Sequence, residues 1–296
     1  MKNDLAQAAA AAGIGAIALS LVSQNVGAAY AKHLFGAIGV EGTIALRIGL
    51  SAVVLVVLQR AWRHLPGRGQ FGAVVLYGLM LGAMNTLIYQ AFARIPMGVA
   101  VGIEVLGPLA VGAVAGRRLT DLLWSLLALG ALFLLLPLGQ AAGGTLDPIG
   151  VLCAIGAAVA WGLYILAGKR ASHLQGVNTV AWGMVVASML AVPVAVTGGD
   201  TRFASPALLL PGLAVAFLSG VLPYALEMWA MRRLSVSALG VILSTAPAVS
   251  AVVGWLLLGE RLSALQCGAL ALIVVAMAGH ALTRARRSRA RVAATK

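Results

Sequence analysis

Between its charged ends this chain is a succession of apolar stretches, each about as long as a bilayer is thick. Ten can be marked: residues 8–31, 41–59, 70–93, 95–115, 119–138, 148–168, 177–197, 207–231, 234–258 and 263–283. A helix needs roughly 20 residues to cross the hydrocarbon layer, and within lipid the backbone must satisfy its own hydrogen bonds. The pattern therefore predicts an all-α integral membrane protein of ten transmembrane helices with short connections. Composition closes the soluble alternative: 61% of residues are hydrophobic and only 10% charged, too few to wrap one water-soluble core. Lys2 ahead of an Ala-rich run imitates a secretion signal, but the run outlasts an ordinary h-region and more spans follow, so it is read as an uncleaved helix.

A net charge of +13 would suggest nucleic acid in a soluble chain, yet the cations stand mostly between spans. One set of connections carries Lys2, Arg60, Arg63, Arg68, Arg117, Arg118, Lys169, Arg170, Arg232, Arg233 and the tail cations from Arg284 to Lys296. The other carries only Lys32, Arg94, Arg202 and Arg261. By the positive-inside rule both termini are expected in the cytoplasm. The tail, 284–296, is then a basic stop that lies on anionic lipid, and no nucleic-acid partner is implied. Cys153 and Cys267 fall in apolar runs without metal spacing and read as buried small hydrophobes. The histidines, His33, His64, His173 and His280, show no ligand spacing, so neither metal nor cofactor is expected. Phosphate-binding loops and nucleophile elbows are likewise missing, which argues against an ATP-driven pump or a hydrolase.

Two stretches 139 residues apart read alike, AFARIPMGVAVGIEVLGP from Ala91 to Pro108 and AMRRLSVSALGVILSTAP from Ala230 to Pro247. Ala91, Arg94 and Pro108 meet Ala230, Arg233 and Pro247 without a gap. Five spans per copy turn the second copy upside down, which predicts two inverted five-helix repeats, 1–140 and 148–283, with shared composition as the competing explanation. Inverted repeats are an architecture of secondary transporters, with the substrate between the halves near the midplane. Pro108 and Pro247 each remove a backbone donor inside a span, so they are candidate hinges or static kinks. The pairs Gly78/Gly82, Gly98/Gly102 and Gly112/Gly116 predict close helix contact.

Charge inside a span is costly and therefore worth weighing. Glu104 lies nine residues into the fourth stretch and eleven from its end, too deep for a short side chain to reach water along the helix. It shares a helix face with Pro108 and suits a proton carrier or a receptor for an ammonium group; a structural carboxyl bonded to a carbonyl is the alternative. Glu227 follows Pro223 by four residues and lies near Arg232, so a site role and an interfacial ion pair both stand. Arg47 either snorkels outward or faces inward to hold a carboxylate. Gln24, Asn25, Asn85, Ser244 and Thr245 are candidate polar lining of a cavity, and Tyr89, Trp161, Tyr164 and Tyr224 its aromatic side; each also fits an ordinary interhelical or interfacial role.

The segments AKHLFGAIG (31–39), ALRIGL (45–50), YGLMLGAMN (77–85), IEVLGPLAV (103–111), LLPLGQ (135–140), YILAGKRA (164–171) and LPYALEM (222–228) resemble the drug/metabolite transporter superfamily in its ten-helix EamA-type branch. The resemblance covers nearly the whole chain. It implies export of small neutral hydroxylated amino acids of the threonine and homoserine type from a bacterial cytoplasm across the inner membrane, driven by protons, with Glu104, Glu227 and Arg47 at matching positions. Other metabolites or drugs are the alternative cargo, and a nontransporting lipid-handling or partner protein the alternative class. One departure stands out: exporters of that kind carry a glutamate immediately before the ninth-helix proline, where this chain has Ala246. The chemistry is therefore expected mainly in the first half.

Overall fold

The computed structural model describes residues 2–63, 65–116, 119–135, 146–171, 176–198, 202–231, 233–234 and 236–294. His64, Arg117, Arg118, His173, Arg232, Lys296 and the expected boundary at 140 lie outside them. Among the described residues the secondary structure is entirely helical. The helices are α1 (Lys2–Gln59), α2 (Arg68–Phe92), α3 (Met97–Glu104), α4 (Leu106–Gly116), α5 (Leu119–Leu135), α6 (Pro148–Ala171), α7 (Gly176–Thr197), α8 (Pro206–Ala216), α9 (Leu222–Met231), α10 (Val236–Leu243), α11 (Ala246–Leu258) and α12 (Ala264–Ala294), with a π-helical turn over Phe217–Val221 between α8 and α9. Among the described residues eight stretches are long and apolar enough to cross a membrane, the first being Ala11–Gln59; Leu119–Leu134 is apolar but shorter.

Backbone chemistry explains where the helices stop. α1 is broken at Ile38 and Gly39, where Gly39 takes φ 68°, a value that a residue with a Cβ adopts only under strain. The sequence predicts a connection over 32–40, but AKHLFGA, despite Gly36, stays helical as far as Ile38 and Gly39. α3 ends at Glu104 and α10 at Leu243, each four residues before a proline, Pro108 and Pro247. A proline has no N–H for the carbonyl four residues earlier, and its ring crowds that carbonyl, so each expected single span is divided into two helices. Pro148 and Pro206 open α6 and α8, where an N–H would have no helical partner in any case. Gly259 closes α11 in the left-handed conformation, and the following Glu260 N–H reaches back to the Gly254 carbonyl at 3.1 Å.

Side-chain size is distributed by face. Alanine is the most frequent buried apolar residue, while many leucines and valines, such as Leu210 and Val114, both 77% exposed, stand on the outside. Lipid is as apolar as leucine, so burying large side chains drives nothing, and small ones let helices approach. Gly78 and Gly82 bring α2 against Val186 and Ala187 of α7, and Gly98 brings α3 against Ala251 of α11. Cys153 is half-buried as expected of a packing residue, but Cys267 is exposed, because its place on α12 belongs to the outer face.

Polar contacts tie the helix ends. Lys32 Nζ donates to Glu260 Oε1 at 2.7 Å, and the other oxygen of Glu260 accepts the Met97 N–H at the start of α3 at 2.8 Å. Gln90 bridges Glu41 and Arg94, donating to the first at 2.7 Å and accepting from the second at 3.3 Å. Elsewhere Asp121 of α5 is fully buried and takes two bonds from Arg287 Nη1, at 2.8 and 3.0 Å, with His280 3.8 Å away.

Candidate functional site

Arg47 is 4% exposed, turned into the protein and away from lipid. A buried guanidinium needs acceptors for its N–H groups, and α1 meets them where the later part of the chain supplies an irregular turn. Pro223 lacks an N–H, so the carbonyl of Ser219, four residues earlier, has no α-helical partner; the chain widens there into the π-turn. That carbonyl accepts Arg47 Nη2 at 2.9 Å, and the Ser219 hydroxyl accepts Arg47 Nε at 2.7 Å. Neighbouring carbonyls of the same turn are taken up by α1 as well: Ser23 donates to Leu218 at 2.7 Å and Ser51 to Ala216 at 3.2 Å. From α2, Asn85 accepts Arg47 Nη1 at 2.6 Å, its orientation fixed by donating its own amide to Leu81 O at 2.8 Å. Below, the guanidinium carbon lies 4.9 Å from the centre of the Tyr89 ring, a cation–π arrangement.

Glu104 closes the other side. It is 8% exposed at the end of α3 and lies in the positive field of Arg47, yet it makes neither a hydrogen bond nor an ion pair among the described residues. Tyr224 of α9 stands within electrostatic range of Arg47, Glu104, Glu227 and Tyr164. Tyr164 of α6 and Tyr77 of α2 share a hydrogen bond of 2.7 Å between their hydroxyls, with ring centres 4.6 Å apart. Glu227 accepts a bond from Ser20 of α1 at 3.1 Å. The result is a polar core of one guanidinium, two carboxyls and four phenols inside an apolar helical body. Such a core sets a permanently charged guanidinium among two titratable carboxyls and hydrogen-bonding phenols.

A model of the EamA-like transporter family matches residues 148–281. The threonine/homoserine exporter RhtA of Salmonella typhimurium, in strains SL1344 and LT2, is 41% identical over 266 residues that cover 90% of each chain. RhtA of Escherichia coli K12 is 40% identical over the same share. The chain belongs to the EamA-like transporter family. A solved crystal structure with 21% identity superposes on 95% of this chain and 97% of its own with a TM-score of 0.62, a likeness of fold. EamA-like proteins move solutes and do not convert them, so the polar core of this transporter is not an enzyme active site.

The other residues singled out from sequence are placed as follows in this EamA-like transporter. Asn25 donates to Leu21 O at 2.8 Å within its own helix. Ser244 and Thr245 donate back to Val241 and Ile242 at 2.5 and 2.7 Å, capping the break between α10 and α11. Gln24 is half-buried and Trp161 packs on the core. The Tyr89 hydroxyl is buried and has no hydrogen-bond partner among the described residues. Pro108 and Pro247 sit at the two matching helix breaks, and Ala246 is buried beside the second. Sequence reading missed Ser219, Ser20 and Tyr77. It also expected the chemistry in the first half, whereas Ser219, Tyr224, Glu227 and Tyr164 arrive from the second.

Proposed function

We propose that the protein exports threonine, homoserine and similar small neutral amino acids by alternating access, in exchange for protons. The observation that carries this reading is the juxtaposition of Arg47 with Glu104: among the described residues the first is hydrogen-bonded by neutral acceptors and the second makes neither a hydrogen bond nor an ion pair. One receives the substrate carboxylate and the other its ammonium group or, in the substrate's absence, a proton. Competition of the two cations for Glu104 couples their movements, because a ligand drives a change only through differential affinity. The names of the RhtA relatives supply the substrate class.

The proposed body has ten spans in two inverted five-helix repeats, 1–140 and 148–283, followed by a cytoplasmic tail, 284–296. In support, the 49-residue stretch Ala11–Gln59 is far too long for one crossing and is broken at Gly39, and α5 is an apolar helix only slightly short of a span. Breaks four residues before Pro108 and Pro247 support repetition and the hinge role. The basic connections favour a bacterial inner membrane with both termini inside. Gln24, Asn25, Asn85, Tyr89, Trp161, Tyr164, Tyr224, Ser244 and Thr245 are assigned to the cavity, and Glu227 to a second coupling position. Counterflow of labelled threonine and homoserine in proteoliposomes across a pH step tests the whole reading. Glu104→Gln is expected to abolish flux at unchanged membrane abundance, and flux equal to that of the parent would refute the role of Glu104.

A further inference from the structure

A buried arginine whose purpose is structural is expected to meet a carboxylate, because an unpaired internal charge is costly. Arg47 is instead held by three neutral oxygens: Ser219 Oγ, Ser219 O and Asn85 Oδ1. A guanidinium has five N–H groups, so the three bonds leave one N–H on each Nη nitrogen without a hydrogen-bond partner among the described residues, and none of the three acceptors carries a negative charge. Two of the three oxygens belong to one residue. Ser219 takes the Nε–Nη2 edge with its hydroxyl and its carbonyl at once, much as a carboxylate would but without the negative charge.

Both oxygens are made ready by the local chain. The hydroxyl spends its proton on Val215 O at 2.6 Å, which turns a lone pair toward Arg47 Nε. The carbonyl loses its α-helical donor to Pro223, which has no N–H to offer four residues later, and accepts Arg47 Nη2. Gly27 of α1 runs so close to Ser219 that a Cβ there would lie 2.7 Å from the Ser219 nitrogen, so the π-turn is backed by main chain and has little room to shift.

We propose that Ser219 is a positioning residue for Arg47: it grips the Nε–Nη2 edge without neutralising it, and so presents the remaining N–H of each Nη to a substrate carboxylate. This rests on the amino-acid reading above. Its distinguishing consequence is that Ser219 governs recognition of the carboxylate and not transport in general.

The test compares labelled threonine with unlabelled threonine and threonine amide as competitors, in counterflow with the intact protein in proteoliposomes. The parent is expected to prefer threonine. Ser219→Ala removes one charge-assisted bond, and the preference is expected to fall about tenfold, through a raised KM for threonine with little change for the amide. Pro223→Ala returns an N–H to the Ser219 carbonyl and is expected to move the ratio the same way, which keeps the test open should the first variant not fold. Ser219→Asp supplies the missing charge and is expected to lose threonine competition while the amide still competes. A substitution that merely loosened the fold would lower flux for both compounds and leave the ratio intact. An unchanged ratio in folded Ser219→Ala and Pro223→Ala overturns the proposal. A parent protein that moves neither compound overturns the amino-acid reading itself and this proposal with it, so the two failures are told apart by the parent alone.

Discussion

The tie between Lys32 and Glu260 can be measured by a double-mutant cycle. Lys32→Met removes the ammonium; Glu260→Gln removes the negative charge but keeps a carbonyl that can still accept the Met97 N–H. The two side chains are 20% and 13% exposed and the contact is 2.7 Å long. An exposed ion pair contributes about 0–1 kcal/mol, whereas a sheltered charge-assisted hydrogen bond contributes about 1.5–3 kcal/mol. The intermediate burial puts the coupling at about 1–2 kcal/mol, or roughly 5- to 30-fold in an equilibrium constant. The assay is unfolding of the purified protein by titration of a denaturing detergent into mixed micelles, for the parent, both single variants and the double. The double variant is expected to lose less than the sum of the singles by the coupling energy. Losses that add to within about 0.5 kcal/mol would mean that the part of α1 ahead of its break and the end of α11 are held together by something other than this pair.

Other outcomes follow from the same geometry. Asp121→Asn removes the charge that holds Arg287, and is expected to cost about 1–3 kcal/mol and to speed tryptic cleavage in the C-terminal part of α12. Gly107→Ala drives a Cβ into the carbonyl of Ala158, so a loss of about 1–3 kcal/mol is expected; Gly130→Ala meets nothing within 4 Å and should be neutral or slightly stabilising in the same unfolding assay. Tyr89→Phe deletes a buried hydroxyl that has no partner among the described residues, and a gain of up to about 1 kcal/mol is expected; a marked loss would reveal a bond to that hydroxyl.

The helical, apolar character of the chain was legible from hydropathy because lipid tolerates almost nothing else, and the burial of Glu104 and Arg47 was legible because charge is so costly there. The breaks at Pro108 and Pro247 could also be read, since a missing N–H acts on a known carbonyl. Ser219 could not be weighed in the same way. A serine in an apolar run ordinarily bonds back to its own helix, and this one does so through its proton while its other lone pair and its carbonyl serve Arg47. The signal that was available is the four-residue spacing from Ser219 to Pro223, the same spacing that drew attention to Glu104 and Pro108. The meeting of Tyr77 with Tyr164 had no local signal, because it depends on how α2 and α6 pack. The connection after the first span was misplaced because hydropathy falls at Lys32 and His33 while the backbone keeps its helix as far as Gly39.

The inward placement of alanine and glycine reverses the tolerance to change familiar from soluble proteins. Trimming an outward leucine leaves a gap that a lipid tail can fill, whereas one added methyl at Gly78 or Gly107 meets main chain that has nowhere to go. Drift among relatives of this chain should therefore accumulate in its largest residues and be slowest in its smallest, so an alignment scored by hydrophobic bulk would overlook the positions that hold the helices together.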